Sequence, residues 1–187
     1  TFQGELILDT ENKGDINGDG KVSYIMIQGD PENIDAQLRT EYSVKALTDA
    51  GVEVEQLDLQ RGDWDRNKGQ EICQNDLAKY GDQIEVVFCN NDDMAMAAAR
   101  AAKGNAAYEK TIFVGFDGIQ SACKAILAGE ETMSVAQEAY DMGYKAVEAA
   151  VKAVNKETLD KFIDSGCSVV TKDNAQKRLD TLKGYIG

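Results

Sequence analysis

Apolar, β-branched runs alternate with helical patterns along the whole chain, and this alternation restricts the fold more than any other feature. The runs are YIMIQG (24–29), VEVEQLDL (52–59), IEVVFCN (84–90), TIFVGF (111–116), TMSVAQ (132–137) and a late CSVV (167–170). Between them the apolar period becomes 3.6. In 34–50, Ile34, Leu38, Tyr42 and Ala46 fall on one face, and Gly51 follows as a stop. In 138–154 the stripe is Ala139, Met142, Val147, Ala150, Val151 and Val154. Strand, helix, strand repeated in this way predicts an α/β fold with a doubly wound parallel sheet. At 187 residues the chain can bury one substantial core. It shows no repeat, low-complexity tract or clear linker, and Pro31 is its one proline.

In such sheets ligands sit beyond the carboxyl ends of the strands. After the first run come Asp30, Asn33, Asp35 and Arg39; after the second, Trp64; after the third, Asn90, Asn91 and Asp92. Asp117 follows the fourth run and Gln137 ends the fifth. One edge would then carry carboxylates, amides, a guanidinium and the single tryptophan, a set suited to many hydroxyls and an apolar C–H face. The expected ligand is a polyol or sugar. For Trp64 the ordinary role is core packing, but its setting between charges in RGDWDRNKG favours a stacking platform. For Asp35 and Arg39, four apart on a helix, the ordinary role is a surface ion pair.

Composition removes several classes of function. Against 33 acidic side chains there are 20 basic ones, a formal net charge of −13, which repels nucleic acid and anionic membranes. The absence of histidine excludes Ser-His-Asp and Cys-His catalysis and His-ligated zinc. Cys73, Cys89, Cys123 and Cys167 are too widely spaced for a metal or redox motif and are expected as buried free thiols. No window is apolar enough to span a bilayer and no signal peptide is seen. The chain begins TFQGELIL without an initiating Met, so a fragment of a longer protein is expected.

The most specific motif is DINGDGKVS (15–23). Calcium takes six to eight oxygens, and an EF-hand loop supplies side chains at positions 1, 3, 5 and 9, a carbonyl at 7 and a glycine at 6. Asp15, Asn17, Asp19, Ser23, Lys21 and Gly20 match those positions. The closing Glu at position 12 is missing, since Met26 stands there, and a strand rather than a helix follows. The last ligand must come from elsewhere; the ordinary alternative is an Asx-rich turn. Asp92 is expected as the N-cap of the Ala-rich helix DMAMAAARAAKG, and no phosphate-binding glycine motif is present. Paired carboxylates could also serve a glycosidase, but none is marked as a neutral acid beside an ionised partner.

Four segments, GDINGDGKVSYIMIQGDPENIDAQLRT, VEQLDLQRGDWD, IEVVFCNNDDMAMAAA and FVGFDGI, taken in this order and spacing, resemble the bacterial periplasmic galactose/glucose-binding proteins. The likeness covers nearly all of 1–187 but only the C-terminal of the family's two lobes. It implies a Rossmann-like lobe of a type 1 periplasmic binding protein, not an enzyme. It also implies capture of a monosaccharide of galactose or glucose type for the membrane subunits of an ABC importer, in some members also for a chemoreceptor. The location implied is extracytoplasmic, in the periplasm or as a lipoprotein on the outer face of the cytoplasmic membrane. The family's remote calcium ligand falls on Glu85, completing a structural calcium site. Asp35 and Arg39 would bind ring hydroxyls and ring oxygen, Trp64 would stack, and Asn91 and Asp117 would take further hydroxyls. Gln137 stands where the family usually has Asn, and Asn33 where well-known members have His, so epimer preference is not inherited. The 138–165 segment would cross to the absent lobe, and its exposed stripe could drive a homodimer. The effector core of a sugar-responsive transcription regulator is a competing reading, lacking here the basic headpiece.

Overall fold

A computed structural model describes residues 2–186 of the chain. The β-branched runs form β1 (Lys21–Gln28), β2 (Glu53–Arg61), β3 (Val86–Cys89), β4 (Ile112–Asp117), β5 (Met133–Gln137) and β6 (Cys167–Val170). They make one sheet in the order β2-β1-β3-β4-β5-β6. β1 to β5 are parallel, and β6 closes one edge antiparallel to β5, with Cys167 opposite Gln137. The expected doubly wound α/β sheet is thus observed with one reversed edge strand.

The helices are α1 (Phe2–Leu8), α2 (Ile34–Asp49), α3 (Arg66–Tyr80), α4 (Asp92–Ala102), α5 (Gln120–Ala128), α6 (Ala139–Val154) and α7 (Ala175–Ile186). Strand side chains alternate between two faces, which explains continuous apolar runs in place of an alternating pattern. Ile25, Ile27, Val87, Cys89 and Phe113 pack with Ile72 and Leu77 of α3 and Met94 of α4. Val22, Tyr24, Met26, Val86, Phe88 and Val114 pack on the other face with Leu6 and Ile7 of α1 and Leu47 of α2. Burying each such side chain stabilises the fold by about 1.5–3 kcal/mol. Gly69 of α3 permits close approach to α4: a Cβ there would stand 2.9 Å from the Met94 Cα.

Three expectations are corrected. The stripe of α2 is not its core face: Ile34, Leu38 and Tyr42 are exposed, while Ala36, Ser43 and Leu47 are buried. The reason is α1, whose Gly4 presses on the Ser43 carbonyl and so selects a small-residue face. Cys73, Cys89 and Cys123 are buried free thiols, but Cys167 is exposed because the edge strand β6 is covered on neither side there. Asp92 is not the N-cap of α4; Asn91 is, its side chain accepting from the Met94 N–H at 3.0 Å. α6 carries no buried residue, and Tyr144, Val147, Val151 and Val154 face outward along it.

Candidate functional site

Parallel strands deliver their carboxyl ends to one edge, and the first turn of α2 lies above that edge. Asn33 caps α2, its side chain accepting from the Asp35 N–H at 2.8 Å. That cap starts the helix so that Arg39, in its second turn, reaches back over the sheet. The Arg39 guanidinium donates to the Asn90 carbonyl at 2.7 Å and to Asp117 Oδ1 at 3.4 Å. It lies 3.8 Å from the Phe116 ring centroid and 5.5 Å from that of Trp64. A planar cation between two aromatic faces is held by cation–π attraction and keeps its remaining N–H groups for a ligand. The default surface pair with Asp35 is not formed, and Asp35 stays exposed.

Asp117 ends β4 at φ 123°, a conformation that strains any side chain other than glycine. Besides Arg39 it accepts from Gln137 Nε2 at 2.5 Å. Burial pushes the Asp117 carboxyl up, and the Arg39 charge pulls it back. Trp64 is half-buried at φ 63°, its ring laid against Gly29, where a Cβ would stand 2.4 Å from it. Gly29 therefore makes room for the indole at the end of β1. Asp35, Arg39 and Gln137 line one open groove of about 580 Å³ together with Tyr42, Phe116 and Cys167. Asp117 and Gln137 also line an adjoining cavity of about 790 Å³.

The amides divide. Asn91 is nearly buried, with its carbonyl used in the helix cap and its Nδ2 donating to the Trp64 carbonyl at 3.2 Å. Asn90 is fully buried and accepts from the Gly29 N–H at 3.0 Å, so it supports the sheet end instead of facing a ligand. Two contributors were missed from the sequence. Phe116 gave a signal, since it ends an apolar strand one residue before Asp117. Gln3 gave none: it is buried, and its Nε2 donates to the Cys89 carbonyl at 2.8 Å and the Gly115 carbonyl at 3.0 Å, tying α1 to the same edge.

The opposite edge holds the 15–23 loop. Asp15 accepts from the Gly18 and Gly20 N–H groups, Asn17 from Asp19, and Asp19 from Lys21, at 2.7–3.2 Å. Glu85 does reach this loop, buried just before β3. Its Oε1 accepts from the Ile16 N–H at 2.6 Å and Asn17 N–H at 2.9 Å, and its Oε2 from the Ser23 N–H at 2.8 Å. The Ser23 hydroxyl and the Lys21 ammonium turn instead to Glu55 on β2, at 3.4 and 2.5 Å. Among the described residues no three acidic or cysteine side chains are gathered as a metal cluster.

Residues 1–158 match the family described as the periplasmic binding protein domain. This chain belongs to that family. It is 29% identical to the D-galactose/methyl-galactoside binding periplasmic protein of Haemophilus influenzae, over 92% of this chain and 56% of the relative. It is 32% identical to a putative rhizopine-binding protein of Rhizobium meliloti, over 83% of this chain and 51% of that one. Among solved structures it is similar in fold to a galactofuranose binding protein, with a TM-score of 0.83, 24% identity, and coverage of 98% of this chain and 61% of the other. This member thus spans about half the length of the curated relatives it matches.

Proposed function

We propose that this periplasmic-binding-protein lobe forms one wall of a monosaccharide site in an extracytoplasmic receptor that serves an ABC importer. The observation that carries the reading is Arg39, stacked on Phe116, flanked by Trp64 and tied to Asp117, with Gln137 and Asp35 beside it. That arrangement offers charged donors, charged acceptors and an apolar face at one strand edge, the mixture a pyranose or furanose requires. The site serves binding and not bond cleavage, since Asp117 is engaged by two donors and Asp35 lies exposed, with no second carboxyl among the described residues paired to it. A galactose or glucose type of sugar is our first choice because Trp64 provides a flat partner for a pyranose face. No helix among the described residues is long and apolar enough to cross a membrane. The exposed apolar side of α6 is assigned to packing against a second lobe, or against a second copy when that lobe is absent.

The 15–23 loop is proposed to hold a structural calcium ion. Asp15, Asn17, Asp19, the Lys21 carbonyl, Ser23 and Glu85 offer oxygens only, as calcium selects. The carboxylate oxygens retain lone pairs beyond those given to amides, except that Glu85 Oε1 already takes two N–H groups. Glu85 would exchange one of these for the ion.

The sugar reading is tested by titrating this chain, labelled for NMR, with galactose, glucose, ribose, allose and myo-inositol. With one wall present the expected affinity is weak, on the order of millimolar. Shifts at Trp64, Phe116 and Asp117 that vanish in Arg39→Ala are expected. If no sugar moves those signals, the edge does not bind sugars.

A further inference from the structure

Behind the turn that carries Asp117 lie two carboxyl groups that the binding edge does not touch. Asp92 is 0% exposed and Glu131 1% exposed. They meet over Gly115 of β4, where a Cβ would stand 2.3 Å from Asp92 Oδ1 and 2.3 Å from Glu131 Oε1. Glycine at that position makes the space in which both carboxyls fit. Asp92 is satisfied as an acceptor, taking the Ser134 hydroxyl at 2.5 Å and the Ile119 N–H at 3.0 Å. Neither oxygen of Glu131 has a donor among the described residues. Its neighbour Glu130 shows the contrast, pairing on the surface with Lys103 at 2.8 Å and Arg100 at 3.7 Å.

The surroundings supply no compensation. α4 contributes Asp93, β4 contributes Asp117, and β3 and α5 contribute the thiols of Cys89 and Cys123. Arg178 of α7 spends its guanidinium on Glu138 and on the Gln137 and Gly118 carbonyls. Gln3 of α1 reaches the Gly115 carbonyl but is uncharged. Two carboxyls brought together away from water do not both ionise.

We propose that Asp92 and Glu131 hold one shared proton, and that this pair positions the Asp117 turn. Glu131, which has no donor, keeps the proton and lends its O–H to Asp92. The single charge on Asp92 then grips the Ile119 N–H directly, and Ser134, which hydrogen-bonds to Asp92, accepts from the Gly118 N–H at 3.3 Å. Those two residues follow Asp117, whose φ of 123° persists only if its neighbours hold it. Burial pushes Glu131 well above the usual carboxylate range, with the Asp92 charge adding to the shift. Burial raises Asp92 as well, against the pull of Ser134 and Ile119.

The sign follows from linkage. A carboxyl with a raised folded-state pKa gives stability fully present below its ordinary value of 4.5 and lost as pH rises through the raised one. As pH rises through the raised Glu131 value a second buried charge appears behind the turn, and Asp117 loses its fixed position. The consequence for ligand capture, a site better ordered in mildly acidic than in alkaline medium, rests on the sugar-binding reading. The pair itself does not.

The test compares this chain with Glu131→Gln, which removes the titration and keeps an N–H for Asp92. Infrared spectra at about pH 7 should show a protonated-carboxyl band in the parent that is lost in E131Q. Asp76, pushed up to about 7 by its own burial, leaves a band that E131Q does not change. Protection of the Ile119 amide, corrected for intrinsic exchange, should fall several-fold in the parent as pH rises through the range in which the protonated-carboxyl band disappears, and stay level in E131Q. Equal infrared spectra, or parallel protection profiles, overturn the proposal. If E131Q does not fold, the parent decides it: an Ile119 protection independent of pH sinks the idea, and a fall in step with loss of the carboxyl band supports it. Neither readout involves sugar, so failure of the sugar reading leaves both intact.

Discussion

Glu85 and Glu131 are buried to almost the same degree, 2% and 1% exposed, just before β3 and just ahead of β5. Glu85 accepts three backbone N–H groups from the loop it clasps. Glu131 accepts none. Burial removes water from both, so the difference in their chemistry comes from the donors and, at Glu131, from the neighbouring Asp92 carboxyl. A carboxylate fed by amides is a fastener, whereas one without donors and beside a second carboxyl takes up a proton. Each glutamate sits at a different edge of the sheet: Glu85 at the 15–23 loop, Glu131 behind the Asp117 turn.

The contrast can be broken most forcefully at Glu85. Glu85→Ala leaves three N–H groups without their acceptor and opens a gap, and should cost about 3–5 kcal/mol in urea unfolding. A loss under about 1 kcal/mol would mean that the loop satisfies itself and the clasp is incidental. Calcium sharpens the same side. At about 100 times its dissociation constant, an ion bound only by the folded chain adds roughly 2.7 kcal/mol, about 5–10 °C in melting temperature. The rise should be absent with magnesium and absent in E85A; no rise in metal-stripped protein removes the ion from the loop and leaves Glu85 as a purely amide-bound clasp. The smallest change addresses the other side. Gly115→Ala puts a methyl 2.3 Å from both carboxyl oxygens, and should cost about 1–3 kcal/mol by overpacking. The same substitution in E131Q should cost as much, because the clash is one of shape and not of charge.

Much of the fold was legible in the residue order. All six strands were identified, with boundaries moved by up to three residues; β1, β3, β4 and β5 read as apolar runs because parallel strands buried on both faces must, whereas the edge strands β2 and β6 are largely exposed. α2 was located, but its buried face was misread. Its apolar stripe is what a lone amphipathic helix would bury; Gly4 and Ser43, contributed by two separate segments, decided otherwise. The candidate edge was legible to the extent that strand ends predict it. Asp35, Arg39, Asp117 and Gln137 share that edge, and Trp64 adjoins it. Asn91, expected to take a sugar hydroxyl, instead holds the N-cap position expected for Asp92, since both residue types can cap a helix.

What the sequence determined by itself was whatever depends on local period and spacing: the strand–helix alternation, the Asx-rich loop, and the set of polar residues that follow the strands. Glu85 was reached only through the likeness to a known family, because nothing near it in the chain marks it as the partner of a loop some 70 residues earlier. The placement of Arg39 between Phe116 and Trp64, the Gln3 tether and the meeting of Asp92 with Glu131 over Gly115 were decided by tertiary structure alone. These contacts join residues far apart in the chain, and the physics that sets their chemistry is the loss of water and the supply of donors. Those two quantities exist only once the chain has folded.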